Sequence, residues 1–402
     1  MQLRWIAVAV FVLSSVLNYL DRQVLATMAD IWVAHHDFPT PPDYGLLLSV
    51  FSVAYAIGAP FMGWFLDRIG LNRGMSISVA LWAVASAGTG MSHSMTDLVV
   101  WRAVLGVAEA AGISAVGKVI GMYLLPEERA LGNATSQLGL SAALAIAPQF
   151  TVFITYRYSW RWTFFGAAIL SLLWIPLWLG TERLIPPTVQ PHGLRGGVHS
   201  EGLLRDSRFW ALVAANAISM TVYSLWTNWT PRYLVRTFSL QPPDAAHYSW
   251  IVPVCGYAGG FVGGSLSWRF IRGGDDTVRA RKRVCLLAAF GCLATALVPM
   301  LHSPILATAG MSFSFLSIAA WSTNLYTIPV DIYGSARAGF AVSGLVFAYG
   351  AMQAIVSEPL GRVIDRYGFT PVCVLFAALP LIAYTVVQSL IPDGSPEPAR
   401  KE

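Results

Sequence analysis

The sequence predicts an all-α membrane protein with twelve transmembrane helices in two six-helix halves. Hydrophobic residues make up 55% of the 402-residue chain and charged residues only 12%, whereas soluble proteins carry about 25% charged residues. Apolar runs long enough to cross a bilayer recur along the chain, and the longest polar stretch divides them evenly. This composition argues against a soluble enzyme, a nucleic-acid-binding module and an intrinsically disordered protein.

Twelve segments of the chain meet the requirement of about 20 mainly apolar residues for a membrane-spanning helix. The predicted spans are residues 5–28, 44–66, 75–93, 98–125, 130–156, 161–180, 208–235, 246–271, 283–301, 304–330, 337–359 and 370–391. The first span is too long for the apolar core of a signal peptide and lacks a cleavage site of small residues. We therefore expect it to remain in the mature protein.

The longest polar segment, residues 181–207, contains several Pro and Gly residues and separates six spans from six. We predict an N-terminal six-helix bundle over residues 1–180 and a C-terminal bundle over residues 208–391. The central loop between them and a tail over residues 392–402 are then cytoplasmic, because most basic residues between the spans fall on that side. Both termini are predicted to be cytoplasmic.

Two adjacent charged residues, Asp21 and Arg22, interrupt the first span. A charged side chain at the centre of a membrane helix costs about 2.5 to 3.5 kcal/mol on insertion scales. Neighbouring residues on a helix point about 100° apart and cannot pair fully with each other. At least one of these charges therefore needs another partner or a water-filled cavity, and Asn18 lies on the same face as both.

The fourth predicted span contains Arg102, Glu109 and Lys118. The interval of seven residues places Arg102 and Glu109 on nearly the same helix face, about 10 Å apart along the axis. Glu109 lies near mid-depth among small apolar residues, where burial disfavours the charged form of a carboxyl group. It can therefore exchange protons near neutral pH. Lys118 either extends to the cytoplasmic surface or contacts a substrate.

The loop between the second and third spans contains Gly63, Asp67, Arg68 and Arg73. Gly63 permits close helix approach, Asp67 can neutralise a helix N-terminus or a neighbouring Arg, and the two arginines lie at the cytoplasmic edge. We interpret these residues as part of a cytoplasmic gate. The alternative is a plain turn whose positive charges only orient the protein.

Several motifs resemble those of one transporter superfamily. The loop motif G-x-x-x-D-R-x-G-x-x-R at 63–73 and R-x-x-x-G-x-x-E at 102–109 are similar to signatures of the major facilitator superfamily. NYLDRQVL at 18–25, W-T-P-R-Y-L at 229–234 and WSTNLYTIPVD at 321–331 narrow the resemblance to the anion:cation symporter family. Within that family, the sequence looks most like the bacterial hexuronate and other sugar-acid transporters.

The resemblance implies proton-coupled symport of a small organic anion, such as a hexuronate or aldonate, by alternating access. It implies that Asp21 and Glu109 are the proton-coupling pair and that Arg22 binds the substrate carboxylate. The other expected substrate-binding residues are Tyr19, Tyr55, Arg102, Lys118, Gln137, Ser322 and Asn324. For the tyrosines and the polar residues of the tenth span, hydrogen bonding between helices is the alternative role.

Two departures from the family pattern affect these expectations. Trp268 stands where relatives usually carry an acidic residue, so the second half lacks a counterpart of Asp67. Val346 and Phe347 stand where relatives have Gly or Asn, which reduces cavity volume or removes a substrate contact. A smaller or more aromatic carboxylate is therefore an alternative substrate.

Other functions remain as alternatives: a sodium-coupled carboxylate symporter, an organic-anion exchanger or, with less support, a membrane-embedded enzyme. The sequence has no P-loop motif and no Cys or His spacing typical of a metal site, so we expect neither a cofactor nor a metal. The expected partners are a small organic anion, protons and membrane lipid, without nucleic acid. We predict a monomer in the bacterial inner membrane.

Overall fold

A computed structural model describes residues 3–35, 43–124, 129–186 and 203–392. Within these ranges all regular secondary structure is helical. Seven helical segments among the described residues are long and apolar enough to cross a membrane, and Tyr44–Ala59 is a shorter apolar segment.

The first six predicted spans correspond to seven helices. They are α1 (Leu3–His35), α2 (Tyr44–Ile69), α3 (Leu71–Gly90), α4 (Met95–Glu109), α5 (Ala111–Tyr123), α6 (Arg129–Arg157) and α7 (Trp160–Leu184). Side chains fix several of the starts. Asp43 caps α2 by accepting a hydrogen bond from the Leu46 backbone N–H at 2.9 Å, and Ser94 with Asp97 forms a capping box at α4. These caps pair backbone N–H groups that have no partner within the helix.

The last six predicted spans correspond to nine helices. They are α8 (Ser207–Asn228), α9 (Thr230–Phe238), α10 (Pro242–Ser249), α11 (Ile251–Arg272), α12 (Thr277–Cys292), α13 (Ala294–Leu297), α14 (Pro304–Leu325), α15 (Ile328–Tyr367) and α16 (Thr370–Leu390). The tenth span was predicted to end at residue 330, but α14 ends at Leu325 and α15 begins at Ile328. The structure therefore shortens that span and lengthens the next.

Four predicted spans are interrupted within their length. Between α4 and α5, the Ala110 N–H bonds to the Val107 carbonyl three residues earlier, which tightens the turn. Between α8 and α9, Pro231 lacks an N–H group and disfavours helical conformation in the residue before it. The chain also breaks at Trp250 and Leu293. Periodicity alone did not predict these breaks because the flanking residues remain apolar.

Contacts divide the chain into two compact units. The first comprises Met1–Leu194, Pro231–Trp250 and Ala354–Gly361, and the second contains the remaining residues. The predicted bundle boundaries at residues 180 and 208 stay a prediction. Within the first unit, Trp174 donates a hydrogen bond from Nε1 to the Val10 carbonyl at 2.7 Å. Its ring stacks on Trp178 at 5.8 Å, which joins α7 to α1.

In the second unit, α11 packs closely against α14. A Cβ atom on Gly259 would lie 2.1 Å from the Leu316 carbonyl oxygen, and one on Gly263 would lie 2.7 Å from the Ala320 Cα atom. Small residues at this spacing let two membrane helices approach through their backbones. Gly264, on the same helix, has nothing within 4 Å of that position.

We expect Gly259→Ala to destabilise the protein and Gly264→Ala to leave its stability nearly unchanged. The added methyl group at position 259 meets backbone that cannot rotate away, and overpacking of this kind costs about 1 to 3 kcal/mol. The thermal unfolding midpoint of the purified proteins in detergent measures the effect. Equal midpoints for the two variants would contradict the close packing of α11 on α14.

Candidate functional site

Four charged side chains lie within the helices of the first unit, on α1 and α4. Asp21 and Arg102 are 2% exposed, and Glu109 is fully buried. Arg22 is more accessible, because its side chain is 19% exposed. Buried charges require partners because desolvation is costly, so the contacts of these four groups define the site.

Arg22 pairs with Glu109 rather than with its neighbour Asp21. The Arg22 Nε atom donates to Glu109 Oε2 at 2.6 Å. The sequence required at least one of the adjacent charges to find a partner elsewhere, and the structure supplies that partner from α4. The two helices are thus joined by an ion pair whose carboxylate has no solvent exposure.

Three aromatic rings surround the Arg22 guanidinium. Its Cζ atom lies 4.8 Å from the ring centre of Tyr19, 4.9 Å from that of Phe51 and 4.5 Å from that of Tyr55. Phe51 and Tyr55 stack with their centres 5.9 Å apart. Aromatic rings bind a guanidinium through its flat faces. Its edges, which carry the N–H groups, remain the part that can bind a carboxylate.

Asp21 has a different set of neighbours. The Ser86 hydroxyl on α3 donates to Asp21 Oδ1 at 2.7 Å and also lies 3.2 Å from the Phe164 carbonyl. On the same helix as Asp21, Asn18 Nδ2 approaches the backbone oxygen of Glu109 at 3.5 Å. The two carboxyl groups therefore occupy separate environments, one with a hydroxyl partner and one with a guanidinium.

Several buried polar atoms of this cluster have no hydrogen-bond partner among the described residues. They are Asp21 Oδ2, Glu109 Oε1, Tyr55 Oη and Arg102 Nε. An unsatisfied buried polar group costs about 1 to 3 kcal/mol. Their concentration around Arg22 indicates a site that gains hydrogen bonds when it takes up a proton or a polar solute.

A glycine allows α4 to bring Glu109 to this site. A Cβ atom on Gly106 would lie 2.6 Å from the Phe51 carbonyl oxygen and 3.1 Å from the Tyr55 backbone nitrogen. The backbones of α2 and α4 are therefore in contact at this position. Glu109 follows Gly106 by about one turn, and this approach places its carboxylate beside Arg22 and the rings of α2.

The structure does not gather all the predicted substrate-binding residues into this cluster. Lys118 lies on α5 and is half-buried. The Gln137 side chain lies outside the described part of the structure. Ser322 and Asn324 lie on α14 in the second unit, where Asn324 is fully buried and donates from Nδ2 to the Ala320 carbonyl at 2.9 Å.

The predicted gate residues lie where α2 meets α3. Gly63 is half-buried, whereas Arg68 and Arg73 are exposed. The Arg68 guanidinium lies 5.7 Å from the Trp64 ring centre. The Asp67 side chain lies outside the described residues, so its role at the gate stays a prediction.

Sequence reasoning missed two members of the site, Phe51 and Ser86. A phenylalanine in an apolar span gives no functional signal by itself. Its spacing of four residues from Tyr55 was the available sign, because residues i and i+4 share a helix face. Ser86 had no such sign, since small hydroxyl residues are common in membrane helices and only the fold brings it to Asp21.

The described residues contain no group of three or more His, Cys, Asp and Glu side chains that could hold a metal ion. The chemistry available to the cluster is therefore that of its own charges, hydroxyl groups and aromatic rings. These groups can bind an anion and can take up or release protons.

Comparisons with known proteins agree with this architecture. The family profile described as Major Facilitator Superfamily matches residues 11–345. The hexuronate transporter of Escherichia coli strain K12 is 23% identical over 407 residues, covering 97% of this chain and 94% of the relative. The galacturonate transporter of Dickeya chrysanthemi is 25% identical over 325 residues, with coverages of 76% and 94%.

A solved structure also shows the fold. The crystal structure of a D-xylose-proton symporter superposes with a TM-score of 0.77 at 15% sequence identity, covering 96% of this chain and 97% of that one. The predicted all-α fold with twelve membrane-spanning helices is confirmed by this likeness together with the helix pattern. At this identity the similarity concerns the fold alone.

We expect Ser86→Ala to lower the stability of the protein more than Ser76→Ala. The first change removes the donor to a buried carboxyl group, which costs about 1 to 3 kcal/mol. Ser76 lies on the same helix, but its hydroxyl bonds to the Asn72 carbonyl within that helix. Thermal unfolding in detergent measures both variants.

In the background of Asp21→Asn, the cost of Ser86→Ala should change, because the two side chains are coupled. Additive effects of the two substitutions would contradict the hydrogen bond between them.

Proposed function

Because the chain belongs to the Major Facilitator Superfamily, we propose that it is a secondary active transporter that carries a small organic anion together with protons. It is a multi-pass membrane transporter and not an enzyme. The proposed substrate is a sugar acid such as a hexuronate or aldonate. The observation that carries the proposal is the buried ion pair between Arg22 and Glu109, with an Nε to Oε2 distance of 2.6 Å.

Arg22 is the proposed ligand of the substrate carboxylate. Its guanidinium stays charged in a dry site and offers a planar fork that matches two carboxylate oxygens. Only the Nε atom is used in the bond to Glu109, and the three surrounding rings cover the faces of the group. A substrate carboxylate therefore meets a preoriented edge of the guanidinium, which reduces the entropy lost on binding.

Glu109 is the proposed link between anion binding and proton uptake. In the ion pair it neutralises Arg22, so its carboxylate competes with an incoming anion for the same cation. When Glu109 takes a proton, it loses its charge and weakens its bond to Arg22. The freed guanidinium then binds the substrate, and the buried site keeps its charge balanced. One proton and one carboxylate thus enter together.

Asp21 is the proposed second proton-coupling group. It is 2% exposed, and its Oδ1 atom accepts from Ser86, while Oδ2 has no partner among the described residues. Arg102 is buried on the facing helix and supplies positive potential to both carboxyl groups. A change in the protonation of Asp21 therefore alters the field in which Arg22 and Glu109 exchange partners.

The names of the relatives support the choice of sugar acids, since those proteins carry hexuronates and galacturonate. A sugar acid presents a carboxylate and several hydroxyl groups. In the proposal, Tyr19, Tyr55 and Gln137 bond those hydroxyl groups from the first half. Ser322 and Asn324 serve the second half, and Lys118 adds positive charge.

Alternating access requires a gate, for which we propose Gly63, Asp67, Arg68 and Arg73. We also propose that the protein acts as a monomer in the bacterial inner membrane, with both termini in the cytoplasm. The excess of basic residues between spans on that side supports this orientation. The proposed organisation remains two six-helix bundles, residues 1–180 and 208–391, with a cytoplasmic loop and tail.

Uptake into liposomes containing the purified protein tests the function. The panel comprises hexuronates, aldonates, aldarates and aromatic carboxylates, with a pH gradient, a sodium gradient or an internal anion as the driving force. We expect accumulation of a sugar acid when the outside is acidic. Accumulation that needs sodium indicates sodium symport, and accumulation that needs only internal anion indicates exchange. Either result would replace proton symport.

In the same vesicles, Glu109→Gln should abolish accumulation driven by the pH gradient. Glutamine keeps the size of the side chain but cannot exchange a proton. Glu182→Gln is the matched control, because Glu182 lies near the end of α7, away from the cluster. Persistent pH-driven accumulation by the Glu109 variant would overturn the role of this residue in coupling.

We expect Arg22→Lys to raise the KM for the substrate about tenfold to a hundredfold, because hydrogen bonds to a charged group contribute about 1.5 to 3 kcal/mol. Lysine retains the charge but loses the planar fork. Arg161→Lys is the control, since Arg161 also lies over an aromatic ring, 4.3 Å from the Trp160 centre, at the start of α7. An unchanged KM for the Arg22 variant would exclude fork-type recognition of the anion.

A further inference from the structure

The second unit carries an exposed row of side chains along α11 that the transport mechanism does not use. Val254 and Phe261 are exposed and lie two turns apart on the helix, and Trp268 follows after two more turns. Residues at intervals of seven share one face of a helix. The Arg272 guanidinium lies above the Trp268 ring, 4.5 Å from its centre, and α11 ends at this arginine.

Most other charges in the adjoining stretch have partners inside the protein. Arg281 pairs with Asp331 and Arg283 with Asp275. Lys282 is 2% exposed and donates from Nζ to the Ile391 carbonyl at 2.7 Å.

The remaining acidic residue of the stretch, Asp276, caps α12 by accepting from the Val278 N–H at 2.9 Å. Arg269 and Arg272, by contrast, are exposed at the end of α11. The surface at this point is therefore positive, because the carboxylates that could neutralise it are already engaged.

The same arrangement occurs on α2 in the first unit. Ile57, Phe61 and Trp64 are exposed in sequence along one face. Arg68 follows Trp64 by four residues, as Arg272 follows Trp268, and lies 5.7 Å from its ring centre. Each helix thus ends in an exposed Trp–Arg pair below an exposed apolar row.

We propose that each Trp–Arg pair binds the headgroup of an anionic phospholipid, with phosphatidylglycerol as the occupant. The apolar row contacts an acyl chain, and the indole ring lies at the level of the headgroups, where Trp is enriched in membrane proteins. The ring covers one face of the guanidinium. The N–H edge remains free to bind phosphate in the bidentate geometry that arginine favours.

The α11 site is the stronger of the two because Arg269 adds a second positive charge beside Arg272. A basic residue near an anionic membrane surface raises binding about fivefold. Trp268 also matters at this position. An acidic residue there, which the family resemblance led us to expect, would repel a phosphate. This inference goes beyond the proposed transport function and does not depend on it.

Native mass spectrometry of the full chain in detergent tests the proposal. Phosphatidylglycerol and phosphatidylcholine with identical acyl chains are titrated against the delipidated protein. We expect two phosphatidylglycerol molecules to be retained and much less phosphatidylcholine. In R269Q/R272Q, the retained number should fall to one, with affinity at the lost site reduced about fivefold for each arginine. Adding Arg68→Gln should remove the second.

Arg366→Gln is the matched control. Arg366 is exposed and lies 5.3 Å from the Tyr367 ring centre at the end of α15, but the neighbouring Asp365 is also exposed and opposes an anion. This variant should retain both lipids. Equal retention of the two phospholipids by the unaltered protein, unchanged retention in R269Q/R272Q or an equal loss in Arg366→Gln would overturn the proposal.

Two further arms separate the lipid from its headgroup alone and from a folding defect. An excess of soluble glycerol phosphate should not displace phosphatidylglycerol, because it lacks the acyl chain; displacement would overturn the assignment to lipid. Trp268→Leu keeps an apolar side chain and should weaken retention at the α11 site while leaving the thermal unfolding midpoint unchanged. Full retention by this variant would remove the indole from the proposal.

Discussion

The structure of the first unit depends on the burial of four charges among apolar helices. Hydrocarbon and packed side chains cannot replace the hydration that Asp21, Arg22, Arg102 and Glu109 lose. The helices must therefore bring these groups to one another, and the 2.6 Å contact between Arg22 and Glu109 joins α1 to α4. A carboxylate fully removed from water keeps its charge only while its cation stays beside it. This mutual dependence makes the pair responsive to protons and to competing anions.

Close helix packing makes that arrangement possible. Gly106 lets the backbone of α4 contact α2, so that Glu109 reaches the guanidinium and the rings of Phe51 and Tyr55 cover it. In the second unit, Gly259 gives a comparable approach between α11 and α14. In both places a single methyl group on glycine would meet backbone atoms. The small residues therefore have a geometric role that a hydropathy pattern cannot display.

The basic residues of this protein have several roles that charge counting cannot separate. Within the stretch from Arg269 to Arg283, some side chains pair with Asp275 and Asp331, and Lys282 bonds to a helix-end carbonyl. Only part of the stretch faces outward. Orientation in the membrane, closure of the helix ends and recognition of lipid headgroups thus use neighbouring residues of one segment. Burial assigns each residue to one of these roles.

The sequence by itself determined the helical membrane fold and the residues that bear charge within it, because hydropathy and the cost of burying charge act locally. It identified Asp21, Arg22 and Glu109 as the informative groups, and it required a distant partner for one of the adjacent pair. Only the tertiary structure decided that this partner is Glu109, that Ser86 bonds to Asp21 and that Phe51 lies on Arg22. These contacts join residues 35 to 87 positions apart or lie on separate helices, and packing between helices sets them rather than periodicity within one.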